Sequence, residues 1–346
     1  MQAVICGYYG QGNGGDEALL VSLLEMLPPD VNPVVLSANP EQTTRAYGVE
    51  SCPNRSFAEI FKVLRRSQVF IWGGGSLMQD STSFASPLYY GGLMLLAQRL
   101  GLKTVAWGQG IGPLKRPLIR WFTKQVIKGC IAVSVRDQAS AQLLKQWRIP
   151  ATLAPDPVWV LTSQDSGLSA KLSHPIVAVN LRRYSSLTPE RLETLITALV
   201  EFQNTAGASL LLIPFQMSQD LALAEAIAAR LTGQYQIIQE SDPRKLKGIF
   251  RGVDLTIGMR LHSLIMAASE GSRCCALSYD PKVSHLMAEV NMAGWELADL
   301  PTDSHTISQT WQQIYQSGNP LDESQLHRLI EQTLAHQSVL AQVCRV

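Results

Sequence analysis

Short apolar runs alternate with amphipathic segments along almost the whole chain. In the first half, runs at 3–6, 33–37, 69–72, 104–107 and 131–135 have the length and composition of strands. Between them, 16–27, 57–66, 88–100, 118–128 and 138–147 repeat apolar positions at helical spacing. A second series follows, with strands expected at 176–180, 209–213, 235–238, 255–257 and 273–277. Its helices are expected at 189–203, 218–231, 243–250, 261–270 and 281–289. Strict alternation of this kind predicts parallel strands joined by crossover helices. The stretch 161–175 is rich in Ser, Gly and Asp and reads as a linker. The expected organisation is thus a Rossmann-like α/β domain over 1–160, a linker over 161–175, a second such domain over 176–320, and a helical tail over 321–346. Two doubly wound domains of this kind are expected to face a cleft, with ligands at the carboxyl ends of the strands.

Composition narrows the function classes. The 346 residues carry 29 Lys+Arg against 28 Asp+Glu, a formal charge of +1, and only 16% are charged. A disordered chain needs low hydrophobicity and high net charge, and a nucleic-acid coat needs a strong basic excess. Neither fits, so no nucleic-acid partner is expected. The six cysteines form no Cys-x-x-Cys pair, which points to buried reduced thiols rather than a metal site. The N-terminus runs straight into a strand-like segment without a signal-peptide pattern, and the greasiest helix, 88–102, is too short to span a bilayer. A cytoplasmic protein is expected, with peripheral contact at the inner face of the plasma membrane left open.

The unusual residues follow the strands. The first strand runs into Gly7-Tyr-Tyr-Gly-Gln-Gly12-Asn13-Gly-Gly-Asp16. Gly10, Gly12 and Gly15 match a dinucleotide fingerprint, but the second strand ends without the acidic residue that would hold a ribose. An anion or sugar at the helix N-terminus suits the turn better, and a purely structural strand-to-helix turn, with Asp16 as a cap or first-turn acid, is the plain alternative. Two more glycine-rich turns follow at Gly73-Gly-Gly-Ser76 and Gly108-Gln-Gly-Ile-Gly112. Three successive glycines cost conformational entropy, so something is expected to approach that backbone closely.

Cations occupy similar positions. Arg136 closes the fifth strand, where it either faces a ligand or pairs with Asp137. Arg260 and His262 fall where a helix begins after the strand at 255–257, and Lys282 does so after the strand at 273–277. A cation in a first helical turn opposes the positive end of the macrodipole at a cost of ~0.3–1 kcal/mol, which a bound anion would reverse. Residues 244–282 contain seven Lys/Arg and three Asp/Glu, a local +4 in a chain of +1. Such a cluster suits a small polyanion, and histidine, with an ordinary pKa of ~6.5, can move protons there.

With these residues in place, the chain resembles the polysaccharide pyruvyl transferases, particularly the bacterial cell-wall type. The resemblance rests on Gly7–Asp16, Gly73-Gly-Gly-Ser-Leu77, Gly108-Gln-Gly-Ile-Gly-Pro113, Ser134-Val-Arg-Asp137, Gly258-Met-Arg-Leu-His262 and Tyr279-Asp-Pro-Lys282, and it extends from residue 2 to about 320. It implies a glycosyltransferase-B-like fold. It also implies phosphoenolpyruvate as donor, a glycan or lipid-linked sugar as acceptor, and a cyclic pyruvate ketal as product, with no cofactor and no metal. By the same resemblance His262 looks like the acid/base residue, and Arg260, Arg136 and Lys282 like ligands of the donor anion. Gly12, Asn13, Asp16 and Ser76 are weaker candidates for substrate contacts. Two alternatives remain open at this point: a nucleotide-sugar glycosyltransferase of the same architecture, and a glycan- or phosphate-binding protein without catalysis.

Overall fold

A computed structural model describes residues 1–81, 83–167, 172–317 and 321–344. The chain divides into two compact units. The first contains Met1–Gln11, Asp16–Leu161 and His327–Val346; the second contains Gly12–Gly15 and Thr162–Leu326. Part of the expected linker, 168–171, lies outside the described residues, as do 345 and 346 of the tail.

In the first unit, strands β1 (Gln2–Cys6), β2 (Asn32–Ser37), β3 (Glu50–Pro53), β4 (Val69–Trp72), β5 (Lys103–Gln109), β6 (Ala132–Val135) and β7 (Thr152–Leu153) form one parallel sheet in the order β3-β2-β1-β4-β5-β6-β7. Successive side chains of β1 enter opposite faces, as the pleat requires. Val4 and Cys6 join one core with Phe70 and Trp72, while Ala3 and Ile5 join another with Val69 and Ile71. Both faces are covered, which is why these strands read as continuous apolar runs rather than alternating ones. Helices α3 (Phe57–Arg66), α4 (Ala85–Arg99) and α5 (Pro117–Lys128) contribute Ile60, Leu93 and Val126 to the first core. Helix α1 (Gly14–Met26) contributes Leu20 and Leu23 to the second. The remaining helices of this series are α2 (Pro40–Tyr47) and α6 (Gln138–Gln146).

The second unit repeats the plan. Its strands are β8 (Ile176–Asn180), β9 (Ser209–Leu212), β10 (Tyr235–Ile237), β11 (Leu255–Gly258), β12 (Arg273–Ser278) and β13 (Ala293–Glu296), all parallel, in the order β10-β9-β8-β11-β12-β13. Its helices are α7 (Pro189–Ala206), α8 (Met217–Ala228), α9 (Pro243–Ile249), α10 (Leu261–Ser269), α11 (Pro281–Glu289) and α12 (Ser304–Gln316). Strand order reverses between β1 and β4 in one sheet and between β8 and β11 in the other, so each unit has its own switch point for ligands.

The tail folds as α13 (Glu323–Thr333) and α14 (Ala335–Val343), and α14 packs Val339, Leu340 and Val343 onto the second core of the first sheet. It is locked there by polar bonds. Trp107 Nε1 donates to the His336 carbonyl at 3.0 Å, and His336 Nε2 lies 2.9 Å from the Pro155 carbonyl. A carbonyl can only accept, so Nε2 carries the proton and Nδ1 accepts from Ser134 Oγ at 2.9 Å. Ser134 Oγ in turn accepts from the Gly108 amide. Every polar atom of this buried ring is therefore satisfied.

Candidate functional site

In the second unit, four chemically active side chains stand just beyond the carboxyl ends of β8, β11 and β12. Arg260 is the N-cap of α10, with extended backbone angles, and His262 is the second residue of that helix. Gly258 ends β11, so the chain turns from strand to helix within Met259 and Arg260. Asn180, the last residue of β8, holds this turn. Its Oδ1 accepts from the Arg260 amide at 3.2 Å and from Ser263 Oγ at 2.9 Å.

Arg260 is not a bare cation awaiting a ligand, as its position suggested. Its Nε and Nη2 donate to Asp220 at 2.9 and 2.7 Å, and both side chains are buried. The cause is the burial that accompanies the unfavourable helix dipole: together they make an unpaired guanidinium expensive, and the first turn of α8 supplies the counter-charge. Asp220 is itself fixed by the Phe215 and Gln216 amides. Nη1 of Arg260 takes no hydrogen bond among the described residues and keeps its donors.

His262 is half-buried. Its neighbour is the first glycine-rich turn, whose residues Gly12–Gly15 belong to the second unit. That turn is tied down by the Gly14 amide on the Phe215 carbonyl (2.7 Å) and by a bridge between Asn13 and Gln216. Asn13 Oδ1 accepts from the Gly15 amide at 3.1 Å. A Cβ at Gly15 would lie 2.2 Å from His262 Nδ1, so the absent side chain is what lets the imidazole sit there. The structure thus brings together Asn13, Gly15 and His262.

Lys282 begins α11. Its amide is capped by Asp280 Oδ1 at 3.1 Å, and its ammonium lies 3.7 Å from Asp280 Oδ2.

Arg182, two residues beyond β8, was missed from sequence. It lies beside this row: Nη1 donates to Tyr279 Oη at 3.0 Å and Nη2 to Gln219 Oε1 at 3.4 Å. Its guanidinium also stands 5.2 Å and 5.9 Å from the Tyr279 and Tyr184 ring centroids. Among the described residues it has no carboxylate partner, and its buried Nε is unsatisfied. A signal was present, since Arg182-Arg183 comes one residue after the strand expected at 176–180.

The first unit carries its own cluster. Arg136, just past β6, does not pair with Asp137 as one reading had it. Its Nη1 donates to Asp156 at 2.6 Å, and both side chains are buried. Asp137 instead caps α6 through the Ser140 amide. Nη2 of Arg136 reaches Ser76 Oγ at 3.3 Å, so these two candidates come together. Asp16 sits in the first turn of α1, and the neighbouring Glu17 accepts from the Gly10 amide and from Tyr47 Oη. Burial holds the Glu17 carboxyl above the ordinary range, against those two bonds.

The backbone of Gly73-Gly-Gly75 is indeed closely approached, but by the protein itself. A Cβ at Gly73 would lie 2.0 Å from Tyr9 Oη, and one at Gly74 would lie 2.8 Å from Leu19. Tyr9 is fully buried, and its hydroxyl has no hydrogen-bond partner among the described residues; desolvation keeps that phenol far above its usual pKa.

The sequence matches the profile of the polysaccharide pyruvyl transferases over residues 13–281. The chain belongs to this family. Membership makes it a transferase acting on polysaccharide. No protein of curated function matches it. Among solved structures it is similar to the UDP-GlcNAc 2-epimerase from Methanocaldococcus jannaschii, at TM-score 0.64 and 11% identity, covering 97% of this chain and 99% of that one. It is also similar to a glycosyltransferase from Rickettsia africae, at TM-score 0.57 and 13% identity, covering 99% and 98%. Likeness at this identity establishes the fold, two Rossmann-like α/β units in the glycosyltransferase-B style.

Proposed function

We propose that this polysaccharide pyruvyl transferase moves the pyruvate unit of phosphoenolpyruvate onto a sugar of a cell-wall or exopolysaccharide precursor as a cyclic ketal. The observation that supports it best is His262 seated against Gly15 of the Asn13–Gly15 turn, at the strand ends that also carry Arg260, Arg182 and Lys282.

The chemistry follows from the donor. Its enol carbon is a weak electrophile until the methylene is protonated. His262, as imidazolium, gives that proton and makes a methyl group. A sugar hydroxyl then attacks the central carbon, and its proton returns to His262. The carbon–oxygen bond to phosphate breaks, and a second hydroxyl of the same sugar closes the ring. Of the two hydroxyl protons, one ends in the methyl group and the other on phosphate, so the step balances without oxidant or reductant. Arg260, through Nη1, and Lys282 hold the donor's phosphate and carboxylate and offset the charge on the leaving group. The Arg260–Asp220 pair fixes the direction of Nη1 before substrate arrives. Within the first unit by itself, Arg136 and Ser76 are proposed substrate-binding residues, and within the second unit Gly12 and Asn13 contribute backbone and amide groups near His262.

Phosphate release from phosphoenolpyruvate should require a glycan acceptor. His262→Ala should abolish it while circular dichroism shows the fold retained; full turnover in that variant would remove His262 from the reaction. Transfer from a nucleotide sugar with no need for phosphoenolpyruvate would replace the proposal by glycosyl transfer.

A further inference from the structure

Helix α5 is anchored by Ile119, Thr123, Val126 and Ile127, which are buried. Its opposite side carries Leu118, 66% exposed, and Trp121, 59% exposed, one turn apart. Phe84 and Leu88, also exposed and one turn apart, lie at the start of α4. The two helix ends are joined by Arg116, whose guanidinium stands 5.4 Å from the Phe84 ring centroid.

This apolar face lies within a block of one charge sign. Residues 114–128 contain Lys115, Arg116, Arg120, Lys124 and Lys128 and no Asp or Glu, in a chain whose total is +1. Among the described residues only Arg116 has a carboxylate near, at 4.0 Å from Asp80. Among the described residues Lys115, Arg120, Lys124 and Lys128 form no ion pair.

We infer that this face of the first unit docks on an anionic lipid surface. A helix with Trp and Leu on one side and cations around them has the composition that lies in a membrane interface. The rings and aliphatic groups enter the headgroup boundary while the cations meet lipid phosphates, each contributing about fivefold in affinity at physiological salt. A second copy of the chain fits poorly, because two-fold pairing would set five cations against five with no acid between them. Nucleic acid would answer the charge but leave Leu118 and Trp121 without an apolar partner. No described helix is long and apolar enough to cross a membrane, so the contact is with the surface. The inference stands on this exposed face and is independent of the reaction chemistry.

Flotation of the full chain with vesicles tests it. Binding is expected to phosphatidylcholine mixed with phosphatidylglycerol, to fall with added salt, and to be lost on phosphatidylcholine alone. Trp121→Ser should weaken it about tenfold. Lys124→Gln and Lys128→Gln together should weaken it roughly 25-fold. All three side chains lie outside the candidate site, so turnover of a soluble acceptor fragment should not change. Wild-type vesicle binding by these variants would overturn the inference. So would equal binding to neutral vesicles, no binding to either kind, or a dimer that Trp121→Ser dissociates.

Discussion

Replacing Gly15 by Ala separates the seat of His262 from the stability of the fold. The new methyl would stand 2.2 Å from His262 Nδ1 and 3.0 Å from Cγ, whereas ordinary contact begins at 3.4 Å. The imidazole must therefore move by about 1.2 Å or leave its rotamer. A displacement near 1 Å at a reacting group costs on the order of 100-fold in rate, or about 3 kcal/mol of barrier. Stability should hardly follow. Gly15 lies in the first turn of α1, where alanine is favoured by up to about 1 kcal/mol, against roughly 1–3 kcal/mol for the overpacked contact. The expected variant melts within a few degrees of the parent but turns over phosphoenolpyruvate about 100-fold more slowly when the acceptor is saturating. Phosphate release measured beside thermal denaturation gives both numbers. Wild-type turnover in a folded Gly15→Ala protein would show that the position of His262 against this loop has no part in the reaction.

Three further outcomes are expected. Asp220→Asn leaves Arg260 buried without its counter-charge and should destabilise the chain by about 3–5 kcal/mol in urea titration; a loss under 1 kcal/mol would show that the pair is not structural. Tyr9→Phe removes a buried, unsatisfied hydroxyl and should stabilise by roughly 1–3 kcal/mol, so a destabilised variant would mean that the hydroxyl has a partner. Burial pushes His336 down to about 4, so the folded chain refuses a proton that the unfolded chain accepts below about 6.5. Stability from this group is full above about pH 6.5 and falls as pH drops towards 4, by about 3 kcal/mol in all. Denaturation at pH 7 and pH 4.5 should show a smaller difference in His336→Gln than in the parent, and equal differences would contradict the assignment.

Both sheets were legible because parallel strands covered on two faces leave uninterrupted apolar runs, and 69–72 and 176–180 are strands at those bounds. The elements that escaped lack such a run. β3, Glu-Ser-Cys-Pro, and β7, two residues long, are edge strands with little to bury, and β13 contains Gly294. Helix α2 buries only Thr43, so it shows no apolar stripe. The tail is helical as expected, and its cover over the first sheet, through contacts such as Trp107 with His336, joins residues 229 positions apart. Long-range pairs of this kind leave no local pattern. The same limit applied to the site. Arg136, Arg260 and His262 were visible because they follow strands, but their partners Asp156 and Asp220 come from distant segments. Pairing therefore turned two apparently bare cations into buried ion pairs. Arg182 obeyed the after-strand rule as plainly as Arg260 did, but it lay outside the motifs that drew attention.

The most direct test is mass spectrometry of a glycan extract incubated with the protein and phosphoenolpyruvate. The proposed reaction gives one product heavier than its acceptor by one pyruvate less one water, formed in equal amount with phosphate and absent with His262→Ala. Phosphate release with no change in any glycan, or a product carrying a transferred sugar instead, would contradict it.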